Sequence, residues 1–149
     1  MKRFAFSLEP VLEQRERIED EKQLFLAGRM RDLRDAQDTL ARLNAQFKQY
    51  SLRLRDGHRN FTSEDLRAHY AHLEYLDRSM TMQHGIISQC RLASERARLD
   101  LLDASRERKV IEKLKERRFE EHRQMQAAEE QRELDDSNNR RHARAHAAT

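Results

Sequence analysis

Residues 33–54, LRDAQDTLARLNAQFKQYSLRL, repeat an apolar pattern every seven positions. The repeat has two lines, which hold Leu33, Leu40, Phe47 and Leu54 in the first and Ala36, Leu43 and Tyr50 in the second. Because seven residues make about two turns of an α-helix, both lines lie on one face, and such a face packs against a second helix. The stretch therefore predicts a coiled-coil helix.

The repeat also runs back toward the N-terminus. Its first line there holds Leu12, Glu19 and Leu26, and its second line holds Arg15, Lys22 and Arg29. Glu19 is the one polar residue of the first line, whereas the second line is charged throughout this part of the chain. Ser7 is placed to cap the helix, and Pro10 falls in the first turn, where its missing N–H costs nothing. Helix 1 is thus predicted from about residue 8.

The stretch Asp56-Gly57-His58-Arg59-Asn60 is the one strong break in the pattern. Gly57 can end helix 1 in the left-handed conformation, and Thr62 can cap the next helix with Asp65 at the third position of its first turn. Helix 1 is predicted over about 8–56, the turn over 57–62 and helix 2 over about 63–136.

The seven-residue repeat resumes in helix 2. Its lines hold Leu66, Leu73, Met80, Ile87, Ser94 and Leu101 in the first, and His69, Leu76, Gln83, Cys90, Ala97, Ala104 and Ile111 in the second. The fold class predicted is all-α, with two long helices forming an antiparallel coiled-coil hairpin in which residue i lies opposite residue 119 − i. Leu8 and Leu12 should then lie near Ile111 and Glu107.

Helix 2 is predicted to extend beyond helix 1. No stop signal occurs before Asp135 and Asp136, so an overhanging C-terminal arm of some 25 residues, roughly 35–40 Å at 1.5 Å per residue, is expected. Residues 1–136 form one hairpin domain in this interpretation. Residues 137–149 have the composition of a disordered basic tail.

The composition excludes several classes of function. Charged residues make up 38% of the chain and hydrophobic residues 37%, which is too polar for a thick globular core. The 30 basic residues are interleaved with 27 acidic ones, so a nucleic-acid partner is not expected. Cys90 is the single cysteine, and no apolar run is long enough for a signal peptide or a membrane span, which favours a cytoplasmic protein without membrane insertion.

No catalytic, cofactor or metal site is expected either. Catalysis needs a concave pocket in which nucleophile, base and orienting group converge, and a two-helix hairpin offers ridges. His69 and His72 stand three residues apart on a helix, but no third and fourth ligand converges with them. We interpret both histidines as residues of the helix–helix contact, the seam, or of the helix surface. We expect the chain to have no enzymatic activity.

Four further residues of helix 2 leave two interpretations open. Gly85 lies inside the helix and is either a tolerated surface glycine or a point of flexibility or close docking. Leu92, Leu99 and Leu102 fall on the outward side, so either a local register shift buries them or they form an apolar strip for a partner.

A cluster near the turn also has the amphipathic character of an interface. Its members are Tyr50, Tyr70, Tyr75, Leu43, Leu73, Met80 and His84.

The opening FAFSLEPVL (4–12), followed by Arg15 and a helix rich in Glu and Arg, resembles the start of the FliJ family, small coiled-coil proteins of the bacterial flagellar export apparatus. The stretch VIEKLKERR (110–118) and the sequence to Leu134-Asp135 resemble the end of the family's second helix. The resemblance spans nearly the whole chain. One departure is that the family's partner patch is more aromatic than the residues present here.

This resemblance implies a hairpin similar to the central stalk of rotary ATPases. It implies as partners the hexameric export ATPase, the membrane export gate and the export chaperones, with the protein monomeric alone and peripherally associated with the inner-membrane export apparatus. By position, the implied gate-binding residues are Leu43, Tyr50, Leu73, Met80 and His84. The implied ATPase-facing residues are Phe4, Phe6, Leu8, Ile111, Leu114 and Phe119.

Other hypotheses compete with this one. One is the equivalent stalk protein of a virulence-type secretion system. Another is a structural or dimerising coiled-coil spacer, which would self-associate and bind no ATPase. A third is nucleic-acid binding through the tail, which would be salt-sensitive and lost on deleting residues 137–149.

Overall fold

A computed structural model describes the backbone of residues 3–147 and the side chains of residues 3–144. Helix α1 spans Glu9–Gly57, a 3-10 helix spans His58–Asn60, and helix α2 spans Ser63–Ala147. No strand occurs within residues 3–147. The predicted all-α class with two long helices is therefore confirmed.

Helix α1 begins one residue later than expected. The Leu8 carbonyl accepts the first hydrogen bond of the helix, from the N–H of Leu12 at 3.0 Å. A residue whose carbonyl does this occupies the cap position, so Leu8 and not Ser7 is the cap. Pro10 lies in the first turn, as predicted.

Gly57 does not adopt the left-handed conformation that the sequence suggested. Its φ of −91° and ψ of −2° are right-handed, and the chain continues directly into the 3-10 helix before Phe61 becomes extended. A Cβ on residue 57 would lie 2.8 Å from the Phe61 ring. A side chain at residue 57 would therefore require the Phe61 ring to shift, whereas the turn does not require a positive φ.

Thr62 and Asp65 form the predicted capping box of α2. The Asp65 N–H donates to the Thr62 hydroxyl oxygen at 3.2 Å, and the Thr62 N–H donates to the Asp65 carboxylate at 3.0 Å. The Thr62 hydroxyl also donates to that carboxylate, at 2.7 Å. These hydrogen bonds, that of the hydroxyl first, hold the pKa of Asp65 below its usual range.

The Asp65 carboxylate should make stability depend on acid pH. Its pKa is depressed in the folded state, so its contribution is present above the carboxylate pKa of the unfolded chain, about 4, and is lost as pH falls through the lower folded value. We expect Asp65→Asn to flatten the fall in stability below about pH 4. Urea unfolding of both proteins between pH 7 and pH 2 measures this, and parallel pH profiles would contradict it.

The chain divides into two compact units, which we call the turn-proximal unit, Asp20–Asp103, and the terminal unit, Met1–Glu19 with Ala104–Thr149. In the turn-proximal unit the Gln83 side-chain amide donates to the Ala36 carbonyl at 2.8 Å, and Tyr50 and His69 share a hydrogen bond. Both pairs obey the predicted relation between i and 119 − i. Within this unit the α1 and α2 segments therefore contact each other in opposite order.

The predicted repeat positions of the turn-proximal unit are all buried or half-buried. Leu76 is only 3% exposed, and Gln83 is a buried polar residue whose amide is satisfied by the Ala36 carbonyl. Leu92, Leu99 and Leu102 are exposed. The alternative in which a register shift buries these three leucines is therefore wrong.

The terminal unit has a different offset between its segments. Lys115 pairs with Glu9 at 2.8 Å, and Arg15 pairs with Glu107. In both pairs the two residue numbers sum to more than 119. Leu8 and Leu12 therefore lie opposite α2 residues that come a few positions after the predicted Ile111 and Glu107. Residues 3–6 are not helical, and an extended residue advances about 3.3 Å against 1.5 Å in a helix, which carries Phe4 further along α2.

Helix α2 continues past the predicted end at residue 136. It reaches Ala147, so the prediction of a disordered tail is wrong for residues 137–147, and residues 148–149 lie outside the described part of the chain. No glycine or proline follows Gly85 to stop the helix, and Arg140, Arg141 and Arg144 lie near its C-terminus, where positive charge is favourable. Residues 127–144 are all exposed.

Candidate protein-binding surfaces

The five residues assigned to the export gate all lie in the turn-proximal unit, but only His84 is exposed. The others, Leu43, Tyr50, Leu73 and Met80, are half-buried members of the helix repeat. The Tyr50 ring lies 4.4 Å from the His72 ring, and its hydroxyl is 2.5 Å from His69 Nδ1. Most of this set therefore also holds α1 and α2 together, and a partner would reach mainly its exposed edges.

A groove of about 340 Å³ lies beside this set, next to the turn. It is lined by Ser51, Leu54, Arg55, His58, Tyr70 and Leu73. Tyr70 is exposed, whereas Leu54 forms the buried floor. The sequence pattern pointed to Tyr70 and Leu73 but not to Arg55 and His58, because charged residues next to a turn normally face solvent.

The residues assigned to the ATPase come together in the terminal unit. The Phe4 ring packs edge-to-face on Phe119, with centroids 5.3 Å apart, and also contacts the His122 ring at 5.5 Å. Phe6, Leu8 and Leu114 line a groove with Phe4, and these three residues and Ile111 are half-buried, whereas Phe119 is 51% exposed. The non-helical opening segment thus lies against the part of α2 that follows Ile111.

Two grooves flank the Phe4–Phe119 pair. One, of about 380 Å³, is lined by Phe6, Leu114 and Met125 together with Arg3, Arg118 and His122. The other, of about 510 Å³, is lined by the carboxylates of Glu9, Glu16, Glu112 and Glu116, with Lys115. The first groove also contains Glu121, so the aromatic pair separates an apolar groove with two arginines and one carboxylate from a mainly acidic groove. His122 and Met125 were missed as site residues, although the seven-residue spacing from Arg108 through Lys115 to His122 was a signal for the first.

A charged layer lies inside the terminal unit. The Arg108 Nε–H donates to Glu19, and Nη1 donates to Glu112 at 2.6 Å. The hydrogen bond to Glu19 is the main reason that the pKa of Arg108 is raised. Glu19, the one polar residue in its line of the repeat, is thus matched by a cation, and both side chains are less than a quarter exposed.

Reversing these charges should test whether the layer sets the local register. We expect Glu19→Arg and Arg108→Glu each to lower the melting temperature, because each places like charges together, and the double swap to recover part of the loss, since a carboxylate at position 108 still lies beside Glu112. Thermal unfolding followed by circular dichroism measures this. Additive losses in the double variant would show that the two side chains do not act as a pair.

The described residues contain no group of three or more His, Cys, Asp and Glu side chains that could hold a metal ion. His69 is engaged by Tyr50 and by the Phe61 ring at 4.6 Å. No helix among residues 3–147 combines the length and the apolar character that a membrane span needs. The surfaces described above are suited to binding other proteins, through aromatic rings beside charged rims.

Comparison with known protein families gives one match. The model of the family described as flagellar FliJ protein matches residues 4–147, which is nearly the whole chain. The searches of curated proteins and of solved structures returned no match.

Proposed function

Because the chain belongs to the flagellar FliJ family, it is a component of the flagellar export apparatus, and we propose that it works by binding the export ATPase and the export gate. The family is one of non-catalytic export proteins. In this proposal the terminal unit engages the ATPase, the turn-proximal unit engages the gate, and the protein assists export chaperones at the cytoplasmic face of the membrane.

The Phe4–Phe119 pair is the observation that best supports the ATPase contact. Exposed aromatic side chains at the centre of a patch with charged borders are the usual anchors of protein interfaces. Phe119 presents half of its surface to solvent between a mainly acidic groove and an apolar groove that carries both charges. A partner with charges of both signs around an apolar pocket fits this arrangement.

We also propose that α1 and α2 form an antiparallel coiled-coil hairpin with an overhanging C-terminal arm. The opposite order of contacts within each unit and the exposure of residues 127–144 support this arrangement. Sedimentation at micromolar concentration should then give an elongated monomer. A dimer that binds no ATPase would favour the structural spacer instead.

The gate contact is best tested at His84, because it is exposed while the other four residues of the set support the fold. We expect His84→Asp to weaken binding to the purified cytoplasmic domain of the export gate by at least about tenfold while leaving ATPase binding unchanged. His142→Asp is the matched control, since His142 is also exposed and lies outside the turn-proximal unit and outside the grooves described above. Equal losses in the two variants, or loss of both partners in His84→Asp, would contradict this division of labour.

A further inference from the structure

One of the two grooves beside the Phe4–Phe119 pair has apolar walls and an excess of negative charge. Phe4, Leu12 and Phe119 supply the apolar walls. The charged groups of the lining are four carboxylates and one ammonium group, those of Glu9, Glu16, Glu112, Glu116 and Lys115. We call this the acidic groove. Its volume of about 510 Å³ can hold a large side chain of a partner.

Two carboxylates of the acidic groove have no cation of their own. Glu9 pairs with Lys115 at 2.8 Å, and Glu112 belongs to the charged layer described above. Glu16, from α1, and Glu116, from α2, are both exposed and form no ion pair within the part of the chain that the structure describes. Each helix therefore contributes one uncompensated carboxylate to the same groove.

The spacing of these carboxylates lowers the stability of the helices. Glu112 and Glu116 stand four residues apart on α2, and Glu16 has Asp20 at the same spacing on α1. Like charges at this spacing repel each other along a helix, whereas opposite charges attract. On the turn-proximal part of α2 the chain uses the attractive form, since Glu74 is followed by its ion-pair partner Arg78. The repulsive form at the groove therefore does not serve the fold.

Neighbouring features of the chain do not account for the two free carboxylates. The helix dipole favours Glu9 in the first turn of α1, but it does not extend to Glu16 or Glu116. Four cations stand near these two residues along the chain, namely Arg17, Lys109, Lys113 and Arg117. None of the four lines the groove or forms an ion pair within residues 3–144. A cation from outside the chain is the remaining way to neutralise the groove.

The apolar walls favour one kind of cation. Phe119 is 51% exposed, and a guanidinium group can stack on an aromatic ring while its N–H groups bind carboxylates. The methylene groups of an arginine also pack on apolar surface. We propose that the acidic groove receives an arginine of a partner protein, whose guanidinium group is bound by Glu16 and Glu116 and packs on Phe119. The inference rests on the proposed function, which makes this partner the export ATPase.

The arginines at the end of α2 are poorer occupants of the groove. Arg140 lies roughly 36 Å beyond Glu116 along one continuous helix, at 1.5 Å per residue, so the chain's own arm cannot reach back to the groove. The arm of a second copy would bring residues 129–136 with it, and these carry five carboxylates and one arginine. Like charges on the two surfaces would oppose that contact.

Neutral variants test the proposal without disturbing the seam. Glu16→Gln combined with Glu116→Gln, the groove variant, removes both free charges and breaks no ion pair, so it should fold at least as well as the parent. Glu21→Gln combined with Glu133→Gln is the matched control. Glu21 and Glu133 are also exposed, also lack an ion pair within the described residues and lie outside the groove, so the net charge changes equally.

Two peptides and the purified export ATPase serve as probes. The peptides are synthetic helices with one leucine row, flanked by arginines in one and by uncharged citrulline in the other. We expect the parent chain to bind the arginine peptide at least about tenfold more tightly, by fluorescence anisotropy. The groove variant should lose this preference and at least about tenfold in affinity for the ATPase, whereas the control variant should keep both.

The outcomes separate this inference from the proposed function. Equal binding of the two peptides by the parent, or an unchanged preference in the groove variant, would overturn the inference. Equal binding of the ATPase by the parent and the groove variant would also overturn it and leave the ATPase contact standing. A peptide preference that depends on the groove, without any ATPase binding, would support the groove's chemistry and contradict the proposed function. Self-association of the parent that the groove variant abolishes would overturn the inference in favour of a second copy.

Discussion

Phe119→Ser is expected to weaken binding of the export ATPase by about 10- to 100-fold, the loss typical of an interface anchor. The substitution removes an exposed aromatic surface and the edge-to-face contact with Phe4. Both would be lost without disturbing the buried seam of the turn-proximal unit. Titration of the ATPase with each variant, followed by biolayer interferometry, measures the effect.

Phe25→Ser is the matched control for this prediction. Phe25 is 49% exposed, nearly the same as Phe119, and its ring also has a neighbour, the Arg29 guanidinium at 4.8 Å. If exposed phenylalanines contribute only nonspecific hydrophobic binding, both variants should lose the same amount of affinity for the ATPase. The proposed site requires a loss in Phe119→Ser alone.

Leu76→Ala is expected to lower the free energy of unfolding by about 2–4 kcal/mol. Leu76 is 3% exposed and lies in a seam only one side chain deep, so few other apolar contacts can compensate for the lost methyl groups. Leu24→Ala is the control, since Leu24 is 75% exposed and the same substitution there should change stability by less than about 0.5 kcal/mol. Urea unfolding of the two variants tests this, and similar losses would mean that the seam does not carry the stability of the fold.

The sequence predicted the turn-proximal unit well because one physical rule governs it. Apolar residues at seven-residue spacing are all withdrawn from solvent there, and Thr62 and Asp65 cap α2 as their residue types require. Gln83 fits the same pattern, as a single polar residue satisfied by a backbone carbonyl. Periodicity and capping are local signals, and they sufficed here.

Other features depended on contacts that are not local. The sequence suggested a left-handed turn at Gly57, but its φ is negative, and the close contact at this residue is with the Phe61 ring, which is distant from the local turn signal. Arg108 continues the repeat as a charged residue, and only its partner Glu19, on the other helix, explains how it can lie there. The aromatic contact of Phe4 depends on a non-helical segment whose path no periodicity describes.

We propose above all that the chain acts on the export ATPase through its terminal unit. The most direct measurement is co-elution of the chain, full length and truncated after Ile111, with the purified hexamer-forming flagellar export ATPase, together with its rate of ATP hydrolysis. The truncation removes Leu114, Lys115 and Phe119 and with them both grooves. We predict that the full-length chain binds and raises the hydrolysis rate while the truncated chain does neither. If neither form binds the ATPase, the proposed role is wrong and the chain is better described as a structural coiled coil of the export apparatus.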